Sequence, residues 1–209
     1  MIETVGAPAT VICHSYGAQA TTVAAATFPE VFARLVAIEG VSSGVIRRTE
    51  MNPEWIREWA DKARESETPR MRVYKTIDEA AERMLEQNPR LPQDLIQQIA
   101  SYAVKPVDGG YVWKFDGWVL NRTSMEIRRD ELPRFWAEVK CPTLLVSGGV
   151  SHLRIDPGAP VLGLFKDARL ALIEGAAHWV HHDKFEEFVE RVSGFFARRR
   201  MTHASKPTG

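Results

Sequence analysis

Short apolar runs alternate with helical patterns near the start of the chain. Residues 10–13 form a β-branched run that predicts a strand, and an Ala-rich stretch over 18–26 predicts a buried helix. Residues 35–38 predict a second strand, which ends at Glu39-Gly40. A strand, a helix and a strand in this order predict a βαβ unit, in which the two strands pair in parallel.

The C-terminal part of the chain returns to the same alternation. Apolar runs over 143–146 and 169–173 predict two further strands. Asp183 is a candidate N-cap for a closing amphipathic helix, whose apolar positions follow helical spacing. These positions are Phe185, Phe188, Val189, Val192, Phe195 and Phe196. The polar residues 201–209 predict a disordered tail.

The middle of the chain is charged and has helical periodicity. Helices are predicted after Asn52-Pro53, after the capping box Thr76-Ile77-Asp78-Glu79, and over 93–104. Asp108-Gly109-Gly110 predicts a turn before an alternating run over 111–115. We therefore interpret this part as a helical insertion.

These patterns predict a division of the chain into a core and an insertion. Core segments are expected over 1–41 and 139–200, with the insertion over 42–138 and the tail over 201–209. The 209 residues, of which 44% are hydrophobic, are enough for one packed domain with a subdomain.

The balance of charges and the residues near the start of the chain argue against several classes of protein. The 27 Lys and Arg residues balance the 27 Asp and Glu residues, so the basic footprint of a nucleic-acid binder is lacking. A membrane span is not predicted, because His14, Ser15 and Gln19 interrupt the apolar stretch near the start, and Glu3 stands where a signal peptide is basic. We expect a cytoplasmic protein, which leaves Cys13 and Cys141 as free thiols.

The segment Cys13-His14-Ser15-Tyr16-Gly17 lies between the first predicted strand and helix. It resembles the nucleophile elbow of the α/β-hydrolase family, whose pattern is G-x-S-x-G. Such a turn presents the serine hydroxyl at a helix N-terminus, where N–H groups and the helix dipole stabilise negative charge. Cys13 departs from the pattern at the first glycine. An ordinary polar turn is the alternative interpretation of the pentapeptide alone.

A histidine follows the last predicted strand, where this family places its catalytic histidine. We interpret His178 as the general base, and His181 and His182 as surface or capping residues. The three histidines share one loop without carboxylates or thiolates at ligand spacing elsewhere, so zinc is not predicted. The chain also lacks a Gly-rich phosphate loop, and we expect no cofactor.

The acid that orients the histidine has two candidates. Most of the family carries an Asp after the strand that resembles 143–146, but here Ser151 stands at that place. A branch of the family carries the acid at the end of the strand after the nucleophile helix, and Glu39 stands there. We prefer Glu39, with Asp156 as the alternative acid. A solvated strand-end carboxylate is the structural alternative for Glu39.

The resemblance extends over nearly the whole chain and implies both fold and chemistry. It implies an α/β fold with a mostly parallel sheet of about four strands and a helical lid over 42–138. The implied function is a serine hydrolase that cleaves a small ester or related acyl compound through an acyl-enzyme. Family members normally begin with further strands and a second oxyanion donor, which we expect to be missing. Tyr16 N–H then remains as oxyanion donor, and an exposed sheet edge favours self-association.

Two other functions remain open at this point. One is an inactive or non-catalytic protein with the hydrolase fold, and the other is a C–C bond hydrolase with the same triad. Five tryptophans suggest an apolar acyl or aromatic pocket, with simple packing as the alternative interpretation. They are Trp55, Trp59, Trp113, Trp118 and Trp136.

Overall fold

A computed structural model describes Thr4 and residues 6–41, 53–65, 71–115 and 131–197. The predicted tail at 201–209, Asn52 and Trp118 lie outside the described residues, as does the side chain of Trp55. The chain divides into two compact units, one of which combines Met1–Ile46 with Arg129–Gly209. The other unit is Arg47–Arg128.

The first unit is built around a four-stranded parallel sheet. The elements of this unit are β1 (Ala9–His14), α1 (Tyr16–Thr27), β2 (Phe32–Ile38), α5 (Leu132–Trp136), β5 (Thr143–Gly148), β6 (Ala168–Ile173), α6 (Val180–Asp183) and α7 (Phe185–Ala197). The strands lie in the order β1-β2-β5-β6, which confirms the predicted sheet.

Both faces of this sheet are covered, because successive side chains of a strand point to opposite faces. In β2, Leu35 and Ala37 face a cluster that contains buried alanines of α1 and Trp136 of α5. Val36 and Ile38 face the opposite cluster, which contains Val192 and Phe195 of α7. Coverage of both faces explains why residues 35–38 of β2 and 144–146 of β5 are apolar without interruption.

The carboxyl ends of the strands lie side by side. Ile38 pairs with His14 of β1 on one side and with Val146 of β5 on the other. Ser15, Glu39 and Ser147 come directly after these three residues, so they meet at one edge of the sheet. In parallel sheets this edge is the usual position of a functional site.

β1 is an outer strand of the sheet in the part of the chain that the structure describes. Its burial alternates between half-buried and exposed positions from Ala9 to Ile12, and Ile12 is 51% exposed. None of the described helices is long and apolar enough to cross a bilayer.

The second unit contains helices and a β-hairpin. Its elements are α2 (Pro53–Glu65), α3 (Ile77–Gln87), α4 (Gln93–Ala103), β3 (Val104–Val107) and β4 (Gly110–Trp113). The predicted cap is present, because Thr76 Oγ1 accepts a hydrogen bond from the Glu79 N–H at 3.1 Å. Tyr74, Ala80 and Val104 form a small core, against which Trp113 packs.

Two element ends differ in detail from the sequence expectations. The predicted helix over 93–104 stops at Ala103, because Val104 begins a strand that pairs with Trp113. Asp183 lies two residues before Phe185, the first residue of α7. It ends α6, and its Oδ2 accepts a hydrogen bond from the Ala177 N–H at 2.7 Å.

Candidate active site

Ser15 occupies a sharp turn between β1 and α1. Its N–H donates to the Ile38 carbonyl at 2.8 Å, and its carbonyl accepts from the N–H groups of Ala18 and Gln19. Its φ is 55°, which is a strained value for a residue with a Cβ. The turn therefore has the strained strand-to-helix geometry that the elbow pattern predicts.

Gly40 permits this turn to lie against the end of β2. A Cβ at Gly40 would lie 2.3 Å from the Ser15 carbonyl oxygen and 2.5 Å from the Ala18 Cβ, both too close for any side chain. In the sequence, Gly40 marks only the end of a predicted strand. The tertiary contact with Ser15, rather than any local signal, requires a glycine here.

His178 lies between Ser15 and Glu39. Its Nε2 is 2.9 Å from Ser15 Oγ, and its Nδ1 is 3.4 Å from Glu39 Oε2. The second distance is long for a hydrogen bond, as catalytic contacts often are before substrate binds. The three residues preferred from the sequence are thus brought together as a hydroxyl, an imidazole and a carboxylate in series.

The carboxylate of Glu39 is fully shielded from solvent, with 0% side-chain exposure. Oε1 accepts hydrogen bonds from the Gly148 N–H at 2.7 Å and from the Ser147 hydroxyl at 3.3 Å. Oε2 accepts one from the Ser151 hydroxyl. Glu39 is therefore not the solvated strand-end carboxylate of the alternative interpretation.

Two opposing effects act on the pKa of Glu39. Burial raises the pKa, whereas the hydrogen bonds from His178, Ser151 and Gly148 lower it. The hydrogen bonds prevail, and the pKa lies below its ordinary value. Glu39 is therefore a buried anion at neutral pH, beside the Nδ1 of His178.

Asp156, the alternative acid, is not brought to His178. Its Oδ1 accepts a hydrogen bond from Arg154 Nε at 2.7 Å, and its side chain is 70% exposed. The loop that follows β5 does not turn this carboxylate toward the imidazole.

The loop that carries His178 is held by backbone contacts. A Cβ at Gly148 would lie 2.5 Å from the carbonyl oxygens of both Ala176 and Ala177, so the loop packs directly on the end of β5. The Val150 N–H donates to the Ala176 carbonyl at 3.0 Å, and Asp183 accepts from Ala177. These contacts fix the backbone just before His178.

His14, the residue before Ser15, contacts the same loop. Its Nε2–H donates to the His178 carbonyl at 2.9 Å, because the carbonyl only accepts. Its ring also lies near those of Trp179 and His181, with centroids 5.0 and 4.8 Å away. The sequence pattern gave His14 no role, since this contact joins residues 164 positions apart.

Three histidines near His178, namely His14, His181 and His182, stay uncharged at neutral pH. Burial lowers the pKa values of His14 and His182, and it lowers that of His181 to about 4. His181 and His182, interpreted from the sequence as surface or capping residues, lie in the last turn of α6 and are partly buried, with ring centroids 4.3 Å apart. Uncharged neighbours do not oppose the formation of a cation on His178.

Tyr16 begins α1 directly after Ser15. The first N–H groups of a helix have no acceptor within the helix, and its dipole is positive at this end. The Tyr16 N–H therefore stands where a negative oxygen beside Ser15 would be stabilised.

Cys13 is the first residue of the elbow segment, where the family pattern has a glycine. Burial raises the pKa of the Cys13 thiol to about 11, and its Sγ donates to the Val36 carbonyl at 3.4 Å. The thiol is thus an unreactive packing group at the first position of the elbow pattern. Cys13 and Cys141 are not joined by a disulfide bond. Among the described residues, no group of three or more His, Cys, Asp or Glu side chains could hold a metal ion.

Comparison with known proteins reveals one family. A sequence model of the alpha/beta hydrolase family matches residues 1–191. The sn-1-specific diacylglycerol lipase ABHD11 of Xenopus laevis is 24% identical over 185 residues, which are 88% of this chain and 56% of the lipase. The 2-(acetamidomethylene)succinate hydrolase of Mesorhizobium japonicum is 24% identical over 90% of this chain and 63% of the relative.

A solved structure gives the same result for the fold. The crystal structure of E-2-(acetamidomethylene)succinate hydrolase superposes with a TM-score of 0.71 and 23% identity, over 94% of this chain and 70% of that one. The chain spans little more than half the length of the lipase relative.

The close contacts of Gly40 predict that a side chain at this position would destabilise the fold. Gly40→Ala should lower the free energy of unfolding by about 1–3 kcal/mol, because the added methyl meets backbone atoms that cannot yield without moving Ser15. Thermal and urea unfolding measure this loss. Gly17→Ala is the matched control in the same turn, since its Cβ would meet nothing within 4 Å. Equal stability of the two variants would contradict the close approach.

Proposed function

The chain belongs to the alpha/beta hydrolase family, and from this membership and the geometry of the site we propose that it is a serine hydrolase. The proposed reaction is cleavage of a small ester or related acyl compound through an acyl-enzyme. The observation that carries the proposal is the series of contacts from Ser15 Oγ through the His178 ring to the buried Glu39 carboxylate.

In the first half of the proposed reaction, Ser15 Oγ attacks the acyl carbon while His178 Nε2 takes the hydroxyl proton. The Glu39 carboxylate stabilises the imidazolium that forms. The Tyr16 N–H donates to the oxyanion of the tetrahedral intermediate. His178 then gives its proton to the leaving group as the bond to that group breaks, which leaves the acyl group on Ser15.

In the second half, water replaces Ser15 as the nucleophile. His178 takes a proton from the water as the oxygen attacks the acyl-enzyme, and returns it to Ser15 Oγ as the acid product leaves. The hydroxyl proton and the imidazole are restored, so no cofactor is needed.

The names of the relatives support an acyl substrate. One is a lipase specific for the sn-1 position of diacylglycerol, and another is a hydrolase of 2-(acetamidomethylene)succinate.

Two of the tryptophans considered for an acyl pocket pack internally instead. Trp136 is buried and stacked on Phe165, and Trp113 lies edge-on to Tyr74. The cytoplasmic location and the lid role of residues 42–138 remain predictions.

The nucleophile is tested by removing the Ser15 hydroxyl. Ser15→Ala should abolish hydrolysis of p-nitrophenyl acetate and labelling by a fluorophosphonate probe, because the attacking oxygen is lost. The melting temperature should not fall, since the Ser15 contacts within the turn are made by its backbone. Peptide mapping of the labelled protein should place the probe on Ser15.

Ester hydrolysis by Ser15→Ala at the rate of the unmodified chain would contradict the serine mechanism. An unmodified chain that neither hydrolyses the ester nor takes up the probe would favour the non-catalytic alternative.

The acid is tested by a pair of matched variants. Glu39→Gln keeps the shape but loses the charge that stabilises the imidazolium, so kcat should fall by up to about 10⁴-fold. Asp156→Asn should change kcat by less than about 2-fold, since Asp156 is exposed and paired with Arg154. The reverse ranking in steady-state assays would move the acid to the loop after β5.

The outer strand β1 predicts self-association of the purified chain. The backbone groups on the outer side of β1, which face no other described strand, can pair with a second copy, and a charged side chain on the strand disfavours this pairing. Sedimentation velocity should show a species that grows with concentration and that Ile12→Lys reduces. Val189→Lys, a similar change at an exposed position of α7, is the control. A monomer at all concentrations would contradict the prediction.

A further inference from the structure

The hydroxyl of Ser151 lies between the backbone of its own loop and the carboxylate of Glu39. It donates to Glu39 Oε2 and accepts a hydrogen bond from the Leu153 N–H at 3.1 Å. Oε2 is also the oxygen that lies 3.4 Å from His178 Nδ1. Ser151 thus contacts the same carboxylate oxygen that faces the imidazole.

We propose that Ser151 is a positioning residue that holds Oε2 of Glu39 toward His178 and stabilises the negative charge of the Glu39 carboxylate. The inference deepens the proposed function and rests on it, because the contact matters only if His178 acts as a base. Ser151 touches neither the nucleophile nor the reacting carbon, so its effect passes through Glu39.

The need for such a residue follows from the geometry of a glutamate side chain. The last torsion of a glutamate is broad, so the plane of its carboxylate is set by hydrogen bonds rather than by rotamer preference. Gly148 and Ser147 bind Oε1 on the β5 side. A donor on Oε2 fixes the remaining rotation, and Ser151 supplies one.

The loop itself holds the Ser151 hydroxyl in place. The Ser151 N–H donates to the Gly148 carbonyl at 3.1 Å, and Arg154 donates to the Gly149 carbonyl at 2.8 Å. The first contact places residue 151 directly beyond the end of β5. The second contact joins two residues of the loop and does not involve Glu39. Replacement of Arg154 is therefore a control that loosens the loop alone.

Loss of the Ser151 hydroxyl should also shift the pH dependence of the reaction in one direction. This hydrogen bond lowers the pKa of Glu39, so its removal should raise that pKa. Among the described residues, His178 and His14 are the other titratable groups that face the carboxylate, and burial keeps His14 uncharged at neutral pH. With a higher pKa, Glu39 loses its charge at a higher pH. The acidic limb of the pH profile of kcat/KM should therefore move to higher pH, because protonated Glu39 does not stabilise the imidazolium.

The test compares three variants of Ser151 with the unmodified chain, using p-nitrophenyl acetate over a range of pH. Ser151→Ala should lower kcat by about 10- to 100-fold with little change in KM, because a hydrogen bond to a charged group is lost. Its acidic limb should move to higher pH. Ser151→Cys, which is similar in size but a weak donor, should show the same shift. Ser151→Thr keeps the hydroxyl and should restore both kcat and the profile.

Arg154→Ala separates positioning from simple support of the loop. It should leave the acidic limb where it is in the unmodified chain, even if the melting temperature falls. An Ala or Cys variant with unchanged kcat and profile would overturn the inference, as would an Arg154→Ala variant with the same shift. Failure of the unmodified chain to hydrolyse the ester or to label at Ser15 would refute the proposed function, and the inference with it.

Discussion

The buried charge of Glu39 is the interaction on which the rest of the site depends. An ionised carboxylate without contact with water is costly, by several kcal/mol, unless hydrogen bonds replace the lost solvation. Here the donors come from the end of β5, from the loop that follows it, and from the loop of His178. Each donor reaches Glu39 only if these segments meet at the carboxyl edge of the sheet. The fold and the charge of Glu39 therefore require one another.

The same meeting point explains two unfavourable features of the backbone. Ser15 and Glu39 both have positive φ, at 55° and 53°, and each costs roughly 1–3 kcal/mol for a residue with a side chain. The two residues follow paired ends of neighbouring strands. The strained turns direct one side chain toward each flank of the His178 ring, and Gly40 provides the room that the first turn needs. Strain at these positions is the structural cost of bringing a hydroxyl and a carboxylate to one imidazole.

Local patterns in the sequence were enough to predict the parallel sheet and the elbow. Ser15 is a candidate nucleophile because the pentapeptide around it resembles the elbow pattern and lies between a predicted strand and helix, which is a short-range signal. Glu39 is a candidate acid because the resemblance to one branch of the family places the acid at the end of the next strand. The donors on its carboxylate could not be predicted, because Ser151 lies 112 positions away and contacts it only in the folded chain. The sequence showed that Ser151 replaced an expected acid, but not that it binds the acid that remained. The contact of His14 with the His178 loop was missed for the same reason.

The central claim is that these long-range contacts make Ser15 a nucleophile. It is tested most directly by mixing the 209-residue chain with p-nitrophenyl acetate, quenching in acid within the first turnover, and mapping the modified peptide by mass spectrometry. We expect one acetyl group, on Ser15, which forms and decays with the kinetics of an intermediate and whose formation is strongly slowed by His178→Gln. Product release with no acetyl group on Ser15, or acetylation of Ser15 at an equal rate in His178→Gln, would contradict the central claim.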